Sequence, residues 1–440
     1  MSVTREELRV FVRQCDPARP LPGGDPRYVP LDDVRAADGL TCVDTLEQNI
    51  ALIEESCQLF TGFPGTGKTT ELLQLQARLS DSQDLPTHVL YVDFEKYVDL
   101  YTPISIADVL RVLAYCLDRE ATRAEGDDPD KKPGYLRRFY DFVTQTDVEL
   151  KQLDFESYGA TLMLELKNNP DFRRRAEAAL TGRFQLFADQ AQRTMQDAVI
   201  RLRKARGAYA QRIVVIADGL EKLTPLRDED REPMESCVET VFLSHAQFLR
   251  LPCHAIYTFP LWLRYRRADL GTSFDGEPLV LPMVKVIDRG GLPVERGISR
   301  LFELLGRRLD VARIFGPDLG ATLRPLVQAS GGYPRDLLRM VRSLLTGVRA
   351  FPVQPSDAER VVDRLAEDYG RTLLATDLEV LARVAETHAL PRQSREQPAT
   401  FVRLLERWLV LAYRNGAEWY DLHPMVRRDP MVAARLASAG

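Results

Sequence analysis

At 440 residues the chain is too long for one ordinary hydrophobic core, so two or three domains are expected. Its 45% hydrophobic and 28% charged content is that of a soluble globular protein, and a net charge of −5 gives no global reason to expect nucleic acid or an anionic membrane as partner. The six scattered cysteines form no C-x-x-C pair, and no apolar stretch is long enough to span a bilayer, which argues against a zinc site, a disulfide framework and a membrane anchor. Reduced thiols in a cytoplasm are the expected state, and the charged Arg5, Glu6, Glu7 and Arg9 do not read as a signal peptide. Charge is uneven: residues 301–440 carry 20 Arg, no Lys and 17 acidic residues, so a local basic face there stays open.

Residues 1–14 have weak helical spacing, and 16–40 read as an irregular arm rich in Pro, Gly and Asp that contains Val34-Arg35. A helix over 44–56 leads into the apolar run Cys57 to Thr61, a buried strand. Gly62-Phe63-Pro64-Gly65-Thr66-Gly67-Lys68-Thr69 then fits G-x-x-x-x-G-K-[ST] at every fixed position, followed by helical spacing from Thr70 to Leu79. Strand, glycine loop and helix are what phosphate binding requires: backbone N–H groups turn inward at the positive end of a helix. Lys68 is placed to reach the β- and γ-phosphates and the Thr69 hydroxyl to ligate Mg²⁺.

A second strand covers Thr87 to Phe94, and Ile104 to Leu117 is an amphipathic helix. Residues 101–210 read as a helical insertion whose longest segment, Asp171 to Arg206, would span ~50 Å if unbroken, with Gly182 as a possible kink. Its basic end, Arg201 to Arg206, suits a helix C-terminus. Arg212 to Asp218 is a buried parallel strand with a carboxylate at its C-terminal edge, where ligands sit in open α/β sheets. Asp218 reads as the Walker-B aspartate that completes the Mg²⁺ shell, against a strand-end turn residue as the plain alternative. Glu221 is a candidate to place or deprotonate the attacking water, with a surface loop carboxylate as its alternative.

A helix over 233–249, a strand over Cys253 to Phe259 with Thr258 near its end, and a strand from Pro278 to Asp288 bring the count to five. Helices follow from Ile298 to Phe315. Gly331-Gly332 ends one helix and Pro334 starts the next, which puts Arg335 in its first turn. A cation there opposes the helix dipole, so an external anion would rationalise it. Ser356-x-x-Glu359 and Thr376-x-x-Glu379 read as capping boxes of two helices, and a third covers about 399–409. Residues 410–422, turning at Asn415-Gly416, form a β-hairpin. Three helices and a hairpin suggest a winged helix. Its recognition helix offers only Arg403 and Arg407 around Glu406, thin for DNA readout.

The loop Gly62 to Thr70, the run Ile213 to Glu221 with a small residue after the Asp and a second acid three on, and Gly331-Gly332-Tyr333-Pro334-Arg335 together resemble the STAND-type and AAA+-related signalling ATPases. The resemblance covers about 30–430 and is closest to the branch with NACHT and Orc/Cdc6-like modules. It implies an ASCE-type P-loop NTPase with a five-stranded parallel sheet in the order 5-1-4-3-2, a helical lid and a C-terminal winged helix. The implied division is an arm over 1–43, an ATPase core over 44–290 with the insertion 101–210, a lid over 291–352 and a winged-helix domain over 353–440. It implies ATP with Mg²⁺, Pro334 near the adenine, Arg335 on phosphate, Thr258 as sensor 1, and Val34 and Arg35 beside the base. Arg264, Arg266 and Arg267 are arginine-finger candidates, with surface salt bridging as the alternative. The usual Arg-Gly or Gly-Arg of the arm is Arg35-Ala36 here, and the adjacent Asp-Glu of processive machines is replaced by Asp218-Gly219.

The function so implied is a slow cytoplasmic ATPase switch in which ATP closes the lid and controls self-assembly or engagement of a separate effector protein. Bacterial antiviral or stress defence is a setting suggested by resemblance. The alternatives are a DNA-binding AAA+ loader of the replication or transposition type, a P-loop metabolic kinase, and an ATP-binding scaffold that does not hydrolyse.

Overall fold

A computed structural model describes residues 3–36, 41–84, 86–131, 134–144, 158–207, 212–225, 227–389 and 397–438. The chain divides into two units. One comprises residues 46–61 and 75–279; the other comprises 1–45, 62–74 and 280–440.

The first unit is built on the apolar runs that the sequence marks as strands. These are β1 (Cys57–Gly62), β2 (Thr87–Asp93), β3 (Arg212–Asp218) and β4 (His254–Thr258); the short β5 (Leu279–Leu281) begins at the unit's last residue. The strand order is β2-β3-β4-β1-β5, the expected 5-1-4-3-2 read from the other edge. The β2–β3, β3–β4 and β4–β1 pairings are parallel, with Asp93 opposite Asp218 and Phe60 opposite Thr258. β1 and β4 are buried along their whole length and β3 from Ile213 on, as central parallel strands require.

The insertion consists of helices Ile106–Ala124, Tyr135–Thr144, Tyr158–Asn168, Pro170–Leu180 and Phe184–Arg206. The expected single helix from 171 to 206 is therefore two. Gly182 at φ 74° takes a left-handed conformation that breaks the segment instead of bending it. Helix Phe184–Arg206 packs along Ile106–Ala124. Its basic end is absorbed by ion pairs: Arg201 meets Asp118 at 3.0 Å and Glu125 at 2.7 Å.

In the second unit the lid helices include Glu295–Gly306, Arg324–Ala329 and Pro334–Gly347. Pro355–Gly370, Leu378–Thr387 and Gln397–Glu406 follow, then the antiparallel hairpin β6 (Val410–Asn415) and β7 (Ala417–Leu422), the sequence of elements expected of a winged helix. Two expectations are corrected here. The strand foreseen over 278–288 stops at Leu281. Beyond it the backbone donors of Met283, Val284 and Lys285 go to the carbonyls of Ala412, Gly332 and Val34, so wing, lid and arm replace a sheet ladder. The capping boxes also lie elsewhere. Pro355 occupies the first helical position, and Asp357 accepts from the Gln354 amide at 3.1 Å; Asp377 does the same for Leu374 at 2.9 Å.

Candidate phosphate-binding site

The second unit contains the glycine loop. Thr66 N–H and Oγ1 both donate to the Phe63 carbonyl, at 3.2 and 2.8 Å, which curls the loop back on itself. Gly65 and Gly67 lie at φ 89° and 104°, where a side chain is strained. The Lys68 ammonium, 4% exposed, donates to the carbonyls of Gly62 (3.0 Å) and Phe63 (3.1 Å). Phe63 is fully buried, Pro64 is exposed and Thr69 is half-buried in the first turn of helix Lys68–Asp81. The Thr70 hydroxyl accepts from the Leu21 amide at 3.1 Å, and Tyr28 donates to Glu71 at 2.8 Å, so the arm clasps this first turn.

Two cations of the arm and lid reach the loop. Arg35, 3% exposed at the end of the short helix Asp32–Arg35, donates Nη2 to the Thr66 carbonyl at 2.6 Å. Its Nε and Nη1 are buried without a hydrogen-bond partner among the described residues. Val34 beside it is buried and accepts from the Lys285 amide at 3.1 Å. Arg335 lies across Gly65: a Cβ on that glycine would sit 2.5 Å from Arg335 Cδ. Pro334 is the buried first residue of its helix, as expected, and Tyr333 donates its hydroxyl to the Pro64 carbonyl. The turn before it is possible only with glycine. Gly332 sits at φ 77°, and a Cβ there would collide with the Val284 carbonyl.

Sequence reading missed what holds Arg335. Its neighbour Asp336 is buried, accepts from Tyr369 Oη at 2.6 Å and faces His423 Nε2 at 3.3 Å. Burial raises the Asp336 carboxyl, but the His423 and Tyr369 hydrogen bonds and the Arg339 charge outweigh it and hold it below the ordinary range. The Arg335 guanidinium also stands 5.4 Å over the Trp408 ring. The Tyr369, His423 and Trp408 contacts join residues 33 to 87 positions apart, so no local spacing announces them.

The first unit carries the acidic residues. Asp218 is buried at the carboxyl end of β3, beside Thr258 on β4, whose hydroxyl donates to the Ala217 carbonyl at 3.3 Å. Tyr91 on β2 donates its hydroxyl to Asp218 Oδ2, a contact that sequence reading also missed. Burial and the Asp218 charge push the Tyr91 phenol up, so it remains a donor. Gly219 at φ 98° turns the chain, and Glu221 accepts from its amide at 3.1 Å. Next to this turn Lys222 pairs with Glu95 at 2.7 Å, and Lys167 of the insertion donates to the Glu95 carbonyl at 2.6 Å.

The three arginine-finger candidates separate. Arg266 pairs with Glu235 and with Glu239 (3.5 Å), and Arg267 pairs with Glu239 (3.2 Å) and Asp269 (3.0 Å). Arg264 Nε is buried with no hydrogen-bond partner among the described residues. No group of three or more His, Cys, Asp or Glu side chains among the described residues is placed to hold a metal by itself. A phosphate-borne Mg²⁺ does not need one, because phosphate oxygens and water supply most of its ligands.

No protein-family model matches the chain, and no curated protein matches it. Among solved structures it is similar to the ORC2 protein of Aeropyrum pernix in its ADPNP–ADP complexes, at 13% identity and a TM-score of 0.41, covering 97% of this chain and 98% of that one. It is also similar to a chain of Drosophila ORC bound to DNA (12% identity, TM-score 0.34, coverage 99% and 94%). A third similar structure is Cdc6p from Pyrobaculum aerophilum (11% identity, TM-score 0.32, coverage 90% and 91%).

Proposed function

We propose that the chain is an ATP-binding, slowly hydrolysing switch. The observation that carries this reading is the loop 62–69. Gly65 and Gly67 hold left-handed conformations, its lysine lies inside, and Arg335 lies across Gly65. The donor set fits a polyphosphate. Arg35 adds a buried guanidinium next to the loop whose Nε and Nη1 have no hydrogen-bond partner among the described residues, an arrangement that an acceptor-rich ligand stabilises.

In this reading the loop amides and Lys68 bind the β- and γ-phosphates, and Arg335 binds the terminal phosphate. Val34, Arg35 and Pro334 border the base, and Thr258 is the polar sensor at the sheet edge. Thr69 would offer its hydroxyl to Mg²⁺, and Asp218, held by the Tyr91 hydroxyl, is the carboxylate that would serve the metal's water. When bound, Mg²⁺ neutralises charge that develops on the phosphate oxygens. Glu221 places the attacking water, and one of its oxygens is already engaged by the Gly219 amide. The output is self-assembly or engagement of a separate effector, with antiviral or stress defence as the setting.

The DNA-loader alternative has less to rest on. Arg403 is paired with buried Asp377, and Arg407 donates to the Thr372 carbonyl at 3.3 Å, so neither arginine of the third helix is held out towards a groove.

The test is the light-scattering mass of Glu221→Gln with ATP–Mg²⁺ and with ADP, with Lys68→Ala as the binding-dead control. A larger mass with ATP alone, lost in Lys68→Ala, is the expected result for the self-assembling form. An unchanged mass in every state rejects self-assembly.

A further inference from the structure

Helix Arg5–Gln14 is fixed in place yet has no buried residue. Thr4 and Glu7 cap it reciprocally, Glu7 pairs with Arg313 at 2.6 Å, and Asp16 just beyond it pairs with Arg342 at 3.1 Å. It packs against helix Pro334–Gly347. Between the two helices runs a groove of about 490 Å³ whose apolar lining is Leu8, Val12 and Leu345.

The polar lining of that groove is mostly basic. Arg5, Arg9 and Arg13 follow one another at four-residue spacing on one helix face, a ladder of ~12 Å. Arg342 faces them from the other helix. Among the described residues the local carboxylates do not balance this charge. Asp16 is taken by Arg342 and Arg19, and the Glu6–Arg9 pair is so exposed, with Arg9 79% accessible, that it adds little. Arg5 and Arg13 have no carboxylate within ion-pair distance among the described residues. Like charges at four-residue spacing repel, and Arg5 in the first turn also opposes the helix dipole. An anionic occupant removes both costs.

We propose that this groove docks an acidic amphipathic helix of a partner protein. The ladder matches carboxylates along one helix, and Leu8, Val12 and Leu345 match leucine-type side chains at i, i+3 or i+4. A nucleic-acid backbone also satisfies the arginines, but it brings no apolar group for Leu8, Val12 and Leu345. The site is separate from the phosphate loop and supplies the class of effector that the proposed function leaves unnamed. It rests on that reading only for its role, not for binding.

The test uses the full chain and a fluorescein-labelled peptide of about 18 residues with Leu at i, i+3, i+4 and i+7, Glu flanking that stripe and Ala elsewhere to favour a helix. Three competitors are the same peptide with Ser for Leu, one with Lys for Glu, and a single-stranded DNA of about 20 nucleotides. Anisotropy is read at about 50 and about 200 mM salt. Micromolar binding of the acidic leucine peptide is expected. It should weaken by about tenfold or more in Arg9→Glu/Arg13→Glu, and similarly when Ser replaces Leu. The milder Arg9→Ala/Arg13→Ala guards against a folding defect and should show a smaller loss in the same direction. Both variants should bind ATP as the parent does, which separates failure here from failure of the nucleotide reading. No binding by the peptide, equal binding by the Ser peptide, or tighter binding by the oligonucleotide overturns the proposal.

Discussion

Gly65→Ala tests whether the lid arginine is packed on the loop. Gly65 lies at φ 89°, where an alanine costs ~1–2 kcal/mol in backbone strain alone. Its Cβ would also stand 2.5, 2.8 and 3.0 Å from Arg335 Cδ, Cβ and Cγ, so the arginine stem has to move. Overpacking of this kind costs ~1–3 kcal/mol. The two terms together predict a loss of ~2–5 kcal/mol, read as a lower urea midpoint at unchanged slope. In an Arg335→Ala background the steric term loses most of its partner atoms and the strain term stays. The penalty of Gly65→Ala should then fall towards ~1–2 kcal/mol, a coupling that a double-mutant cycle resolves. An equal penalty in both backgrounds would refute the packing argument. A neutral Gly65→Ala would refute the strain argument as well.

The remaining predictions concern the sheet unit and the turn before the lid helix. Tyr91→Phe removes the donor to Asp218; loss of a hydrogen bond to a charged group, ~1.5–3 kcal/mol, should slow ATP turnover by about 10- to 100-fold in single-turnover assays while ATP affinity changes little. His254 accepts from the Ser56 amide at 3.1 Å, and burial pushes its imidazole down from 6.5 to about 4. Its folded form therefore resists protonation: the stabilisation is complete above pH 6.5 and is lost as pH falls towards 4, by up to ~3 kcal/mol. His254→Gln should flatten that part of the urea-midpoint profile, and an unchanged profile would count against a buried neutral imidazole. Gly332→Ala drives a Cβ into the Val284 carbonyl, so proteolysis should reveal an opened turn between residues 329 and 334. Retention of wild-type resistance would show that the close approach does not exist.

Much of this was legible in sequence, for identifiable reasons. The loop 62–69 spells out its own conformation, because its fixed residues meet separate requirements: glycine for positive φ at 65 and 67, and a lysine whose ammonium folds back onto the loop carbonyls. β1, β3 and β4 announce themselves as apolar runs because parallel strands are buried on both faces. The run after Leu281 misled for the same reason. Met283 and Val284 are buried as strand residues are, but the carbonyls of Ala412 and Gly332 that receive their backbone donors lie far away in sequence. Tyr91, Asp336, His423 and Trp408 escaped notice because each acts on a residue from a different element. The roles of Arg266 and Arg267 as intramolecular partners likewise appear only once Glu235 and Glu239 are folded against them.

The most direct test of the central claim is calorimetric titration of ATP–Mg²⁺ into the wild-type chain and into Lys68→Ala. Lys68 Nζ rests on the Gly62 and Phe63 carbonyls, inside the loop that is assigned to the phosphates. Saturable one-site binding by the wild type, weakened by about 100-fold or abolished in a Lys68→Ala protein of native circular dichroism, is the predicted result. Equal affinity in the two proteins, or no binding by a folded wild-type chain, would contradict a nucleotide site at this loop.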